Sequence, residues 1–155
     1  MRRKGLLSFF VVLASVLNLH AFSASADEFR IFNLINQQRA RMRLAALEWD
    51  DSLASVARNY SSQMAREGFF DHTDRNGNSV NDRADSAGVN RWRRIGENLF
   101  VCSGVRDFSF LAVDQWMHSP GHRDNILNRK YNATGIGVAR ARNGRIYVTQ
   151  VFVQG

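Results

Sequence analysis

The sequence predicts an α+β domain in which helices cover both faces of a small antiparallel sheet. Three observations carry that expectation. With 155 residues, one Pro and one Cys, the chain is the size of a single domain with one core, and no internal disulfide can hold it. Two segments repeat apolar residues at helical spacing, whereas the C-terminal part alternates in two runs on either side of Asn143-Gly144, the pattern of paired strands. The last of those runs is apolar on both sides, so both faces of the sheet need cover.

The first helix is expected from Glu28 to about Arg41, with Phe29, Ile31, Phe32, Leu34 and Ile35 at helical spacing and Asp27 as N-cap. Residues 42–49 read as a connector. A second helix starts near Asp50 or Asp51, aligns Leu53, Val56, Ala57, Tyr60 and Met64, and stops at Gly68. The polar stretch Asp71 to Asn81 contains Asn76-Gly77 and must turn. A short helix follows from Val80 to Ala87, then a buried strand near Leu99 to Cys102. The third helix is expected from Asp107 to Met117 with Phe110, Val113, Trp116 and Met117 inward, and it ends before Pro120. Gly135 to Arg142 and Arg145 to Val153 form a hairpin over a two-residue Asn143-Gly144 turn with both φ angles positive. Its second strand turns Ile146, Val148 and Phe152 one way and Tyr147, Val151 and Val153 the other.

The N-terminus reads as a secretory signal, residues 1–26: Arg2, Arg3 and Lys4 precede an apolar run from Leu6 to Leu19, and Ala24, Ser25 and Ala26 follow. That run is shorter than the roughly 20 residues that span a bilayer core. The mature domain is then 27–155, secreted or held in the periplasm or envelope, with no integral membrane segment. The formal charge of +7 (21 basic less 14 acidic) falls to +4 without the three leader cations. No nucleic acid partner is expected of an exported chain, and Arg91-Trp92-Arg93-Arg94 reads as a solvated loop. Cys102 reads as a small buried hydrophobe, since nothing beside it in sequence activates a thiol.

Several standard motifs fail. An EF-hand centred on Gly77 would need carboxyl groups where His72 and Arg83 stand, and a dinucleotide fingerprint from Gly135 would need a glycine at Arg140. What survives is His72, Glu97 and His122, each beside a helix end, turn or strand start, where folds present side chains to a cleft. Ser119 can cap a short helix begun by Pro120 and reaching Leu127, with His122 in its first turn. The positive helix end there disfavours imidazolium, so His122 is suited to ligate a metal or accept a proton. Two neutral imidazoles with one carboxylate can hold Zn²⁺ and leave a position for water. Loop-bracing hydrogen bonds are the commoner use of such residues.

The blocks Leu34-Ile35-Asn36 with Arg39, Leu47-Glu48-Trp49-Asp50, Phe69-Phe70-Asp71-His72, Ile95-Gly96-Glu97-Asn98-Leu99, Gln115-Trp116-Met117 with Ser119-Pro120-Gly121-His122-Arg123 and Asn125-Ile126-Leu127, and Gly135-Ile136-Gly137 with Tyr147-Val148-Thr149-Gln150-Val151-Phe152 together resemble the CAP superfamily. That superfamily comprises the cysteine-rich secretory, antigen 5 and pathogenesis-related 1 proteins, and the chain is most similar to its compact bacterial branch, the SCP domain. The resemblance implies a three-layer α-β-α sandwich with a central cleft. It also implies that His72, Glu97 and His122 are cavity residues, the paired histidines binding Zn²⁺ in some members. The chain departs from animal and plant members, which carry disulfides and a second cavity acid where His118 and Ser119 stand here.

Two functions follow as expectations. One is a monomeric binding module whose cleft, lined by His72, Glu97, His122, Asn98 and Ser119, holds a lipid, peptide or cell-wall ligand, with a divalent metal as an option. The alternative is a zinc-dependent hydrolase of a peptide or ester, with Zn²⁺ on His72 and His122 and Glu97 taking the proton of its water. The missing second acid and the lack of an activated nucleophile favour binding. A Ser119 nucleophile served by His122 is set aside, because a capping serine has its oxygen occupied. Interaction through the outer surface, with the polar set bracing loops, is a third class.

Overall fold

The computed structural model of the protein describes residues Ser25–Gly155, so the expected export segment lies outside the described residues except for its last two. The first helix, α1 (Ala26–Arg41), is capped by Ser25 and not by the expected Asp27. Ser25 Oγ accepts from Glu28 N–H at 3.2 Å, and the Glu28 carboxylate accepts from Ser25 N–H at 2.8 Å. A glutamate three residues after Ser25 closes this reciprocal box, which Asp27 has no equivalent partner to form. Glu28 also turns inward, accepting from Arg58 at 2.9 and 2.8 Å.

The presumed connector contains a two-residue strand, β1 (Glu48–Trp49). It leads into α2 (Asp51–Glu67), capped by Asp50 and ended by Gly68 at φ 70°, a left-handed geometry that glycine adopts without a Cβ clash. Next come α3 (Val80–Ser86) and β2 (Arg94–Cys102). β2 is five residues longer than the apolar run Leu99–Cys102 suggested, because Glu97 and Asn98 are buried inside it. α4 (Phe108–His118) and α5 (Pro120–Ile126) follow, then the hairpin β3 (Ala133–Arg140) and β4 (Ile146–Gln154).

The sheet order is β1-β3-β4-β2, antiparallel except for the short parallel β1–β3 contact. The hairpin turn differs from the expected one. Gly144 N–H donates to Ala141 O and Ala141 N–H to Arg145 O; Gly144 has φ 81° and Asn143 is not left-handed. That is a three-residue loop, a type I turn followed by a glycine bulge.

Strand alternation produces two cores. Ile146, Val148 and Phe152 of β4 pack with Ile136 against α1, α4 and α5 through Ile31, Ile35, Val113, Trp116 and Ile126. Val151 and Val153 meet Leu53, Val56 and Ala57 of α2, while Tyr147 meets Tyr60 and Met64. Helices therefore cover both sheet faces, an α-β-α sandwich. Phe110, expected inward, is 56% exposed, because α4 buries Phe108, Ala112, Val113 and Trp116 instead. Among the described residues no helix is long and apolar enough to cross a membrane.

Two close fits fix the layers. A Cβ on Gly135 would lie 2.0 Å from Ala54 N, and one on Gly137 2.1 Å from Arg58 N, so α2 rests directly on the β3 backbone. Arg39, 1% exposed, donates to Ala45 O, Ile126 O, Asn128 O and Tyr131 O at 2.8 to 3.3 Å. It binds carbonyls at the negative C-terminal end of α5, which anchors that helix to α1.

Because the α2 backbone has no room to give, Gly137→Ala should destabilise the fold by about 3 kcal/mol. Gly121→Ala, where a Cβ meets nothing within 4 Å, should change stability by less than about 0.5 kcal/mol. Urea unfolding of the two variants checks the contrast.

Candidate functional site

His72 follows the turn after α2, Glu97 sits in β2, and His122 sits in the first turn of α5. The fold brings all three together. His72 Nδ1 lies 2.8 Å from Glu97 Oε1, and the two imidazole centroids are 6.5 Å apart at an interplanar angle of 33°. The His72 side chain is 57% exposed and that of Glu97 only 3%.

What holds Glu97 is a residue with no mark in the sequence. Arg83 of α3 donates to Glu97 Oε2 at 2.6 Å, to Asn78 O at 2.8 Å and to His72 O at 3.1 Å, and its guanidinium stacks 3.4 Å from the Tyr60 ring centroid. Both carboxylate oxygens of Glu97 are thereby occupied. A cation over an aromatic face and a charge-assisted hydrogen bond reinforce each other at a site shielded from water. Tyr60 in turn donates to Asp71 O at 2.5 Å, and burial pushes its phenol up to about 12, so it stays a donor. Asp74 closes the loop by accepting from Asn76 N, Asn78 N and Asn78 Nδ2 at 2.8 to 3.0 Å. The His72 loop is thus tied to α2, α3 and β2.

On the α5 side, Ser119 takes the N-cap backbone position but makes no capping bond with its side chain. Its Oγ lies 2.9 Å from His122 Nδ1 instead, so the expected cap, which was the ground for setting aside a Ser119–His122 pair, is replaced by a bond that orients the imidazole. Asn98 is fully buried and does not line the cleft, contrary to expectation. It donates to His122 O at 3.1 Å and accepts from Asn125 at 3.0 Å, fixing α5 against β2 from beneath.

The imidazoles open on a hollow of about 280 Å³ lined by Phe70, Asp71, His72, Leu99 and His122. A second hollow of about 230 Å³ shares Phe70, Leu99 and His122 with it and continues past Phe100, Val101, Gln115, Trp116 and Ser119. The walls are largely apolar, the setting of most small-ligand sites. A wider depression of about 420 Å³ beside Trp92 and Gly155 lies away from the imidazoles, so size does not mark the site.

The two imidazoles differ electrostatically. The hydrogen bond to Glu97 raises His72 above its ordinary 6.5, while burial, aided by the nearby His72, lowers His122. Glu97 does not face the hollow as a free base or ligand. Among the described residues no group of three or more His, Cys, Asp or Glu side chains is arranged to hold a metal. The donors available to a divalent ion are the two imidazoles, with His72 bearing the carboxylate-bound Nδ1 that metal-binding histidines commonly have. Cys102 is half-buried, and burial raises its thiol, in line with an unreactive packing role.

Comparison with known proteins gives a consistent result. The family model for the cysteine-rich secretory protein family, CAP, matches residues 32–152. The uncharacterized membrane protein YlbC of Bacillus subtilis is 33% identical over 133 residues, covering 84% of this chain and 35% of that protein. YkwD of the same organism is 36% identical over 131 residues, covering 84% of this chain and 48% of its own length. The chain therefore spans less than half of these two curated relatives. An SCP-domain extracellular protein of Bacillus anthracis superposes with a TM-score of 0.73 at 29% identity, over 83% of this chain and 40% of that one.

In a proton NMR titration, His72 should titrate above 6.5 and His122 below it. Glu97→Gln should bring His72 down, and His72→Ala should let His122 move back up. The stability contributed by His72 is complete below its unfolded value and fades as pH rises through its folded value. That of His122 has the opposite sense, present above the unfolded value and lost as pH falls through the folded one. Coincident titration of the two rings would contradict the asymmetry.

Proposed function

The chain belongs to the cysteine-rich secretory protein (CAP) family, and from that premise we propose that it is an extracytoplasmic binding module whose hollow takes a lipid, peptide or cell-wall ligand with an apolar part and a polar head. The observation that carries this reading is the full occupancy of Glu97. With both oxygens held by Arg83 and His72, the carboxylate serves as an anchor and is not itself free to act as the base of a turnover step. The apolar part of the ligand would lie on Phe70 and Leu99, and its polar head would meet two imidazoles able to donate and accept. Location outside the cytoplasm rests on the basic and apolar N-terminal sequence and on the extracellular SCP-domain protein that this chain resembles.

A second reading, a zinc-dependent hydrolase of a peptide or ester, draws on the imidazole pair and the carboxylate behind His72. A bound Zn²⁺ would supply Lewis acidity and an acidified water. Fit is partial: His72 and His122 could hold such an ion with water completing its shell, but catalytic zinc sites use three protein ligands. Glu97 is not free to be the third.

Protein equilibrated with a detergent-free envelope extract should retain a component identifiable by mass spectrometry, and His122→Ala should lose it. Calorimetric zinc titration separates the two readings. Binding lost in His122→Ala, together with chelator-sensitive peptide or ester turnover, would replace binding by hydrolysis. His72→Ala takes one of two partners from the buried Glu97 carboxylate, so it should lower the unfolding midpoint, and its ligand capture is compared with wild type at a temperature where both are folded.

A further inference from the structure

The hollow continues beyond the imidazoles along the free edge of the sheet. β2 is the last strand in the order and pairs only with β4. Its odd-numbered residues turn their backbone groups away from β4, as two side-chain contacts reveal: Glu97 O accepts from Asn125 at 3.1 Å and Leu99 O from Trp116 Nε1 at 2.8 Å. Antiparallel alternation gives Val101 the same outward orientation. Its N–H and C=O have no hydrogen-bond partner among the described residues.

Leu99, Phe100 and Val101 all line one hollow. Leu99 and Val101 pack on the α2 side of the sheet and Phe100 on the α4 side. Consecutive residues with side chains on opposite faces can border a common space only along the strand's edge, so this hollow looks onto backbone. One end of the groove has unpaired edge groups at Val101. At the other end the His72 and His122 imidazoles face the hollow beside Asp71, while Arg83 and the Glu97 carboxylate behind them are already paired, so the ring nitrogens left free can donate to a carboxylate.

We infer that the groove binds a short extended peptide as an added edge strand, antiparallel to β2, with its backbone paired to Val101 and its C-terminal carboxylate between the two imidazoles. This rests on the binding reading above and names its ligand class. Strand addition supplies affinity through main-chain hydrogen bonds that any sequence can make, while wall pockets select side chains. Running toward the imidazoles from Val101, the peptide passes over the Trp116 indole. Alternate side chains then face Phe70 on one wall and Gln115 and Ser119 on the other.

The test uses a pool of N-acetylated hexapeptides of randomised sequence with free C-terminal carboxylates, added to the purified protein. Backbone amide exchange is followed by NMR. The Val101 amide should slow at least tenfold. A pool methylated at every backbone nitrogen should produce no slowing, and C-terminally amidated peptides should bind at least tenfold more weakly. Absence of slowing at Val101, or equal slowing by the methylated pool, overturns strand addition. Equal affinity of acids and amides overturns the placement of the carboxylate. If the envelope component is still captured and lost in His122→Ala while Val101 is unprotected, the cleft reading stands and the peptide inference fails. Loss of both results would sink both.

Discussion

A buried carboxylate is the constraint on which the site depends. Removing an ionised group from water costs several kcal/mol unless nearby groups replace its hydration. Glu97, 3% exposed in its side chain, has that replacement in Arg83 at 2.6 Å and His72 at 2.8 Å. Each partner comes from a different element, so satisfying one charge orders several segments. Arg83 repeats the logic on a second level by also holding the carbonyls of His72 and Asn78 and lying on Tyr60.

The opposite wall is set by hydrogen bonds to neutral acceptors. Asn98 and Asn125 join β2 to α5, and Arg39 holds the far end of α5 through carbonyl contacts. Glycines at 135 and 137 let α2 sit on β3 at backbone distance, which sets how near the His72 loop comes to the sheet. The hollow therefore lies between two rigid supports. Its open side runs onto an unpaired strand edge and not into the core.

Much of this was legible in the sequence, for identifiable reasons. The stripe Leu53, Val56, Ala57, Tyr60 and Met64 has one period and clear stops, and α2 follows it, with Asp50 the cap of the two expected candidates and Gly68 the stop. The alternation in β4 named both of its buried faces. Misreadings arose where polar side chains are satisfied by distant partners. Glu97 and Asn98 looked like residues ahead of the strand because their partners, Arg83 and Asn125, lie 14 and 27 residues away. The Ser25 cap was overlooked because it falls within the export signature, although Glu28 three positions on was its local sign. Convergence of His72, Glu97 and His122 was suggested by the family resemblance; no local spacing implied it. Arg83 entered only as the residue that spoils a calcium loop, since nothing in one sequence marks a buried arginine. For the same reason nothing in the sequence indicated that both oxygens of Glu97 are held.

If the carboxylate is the keystone, Arg83 and Glu97 must be energetically coupled and not merely adjacent. The direct measurement is a double-mutant cycle in urea with Arg83→Met, Glu97→Gln and the pair. The account predicts large single costs and a coupling of at least about 1.5 kcal/mol, the double variant recovering part of what either single loses. Effects that add to within about 0.5 kcal/mol would contradict it.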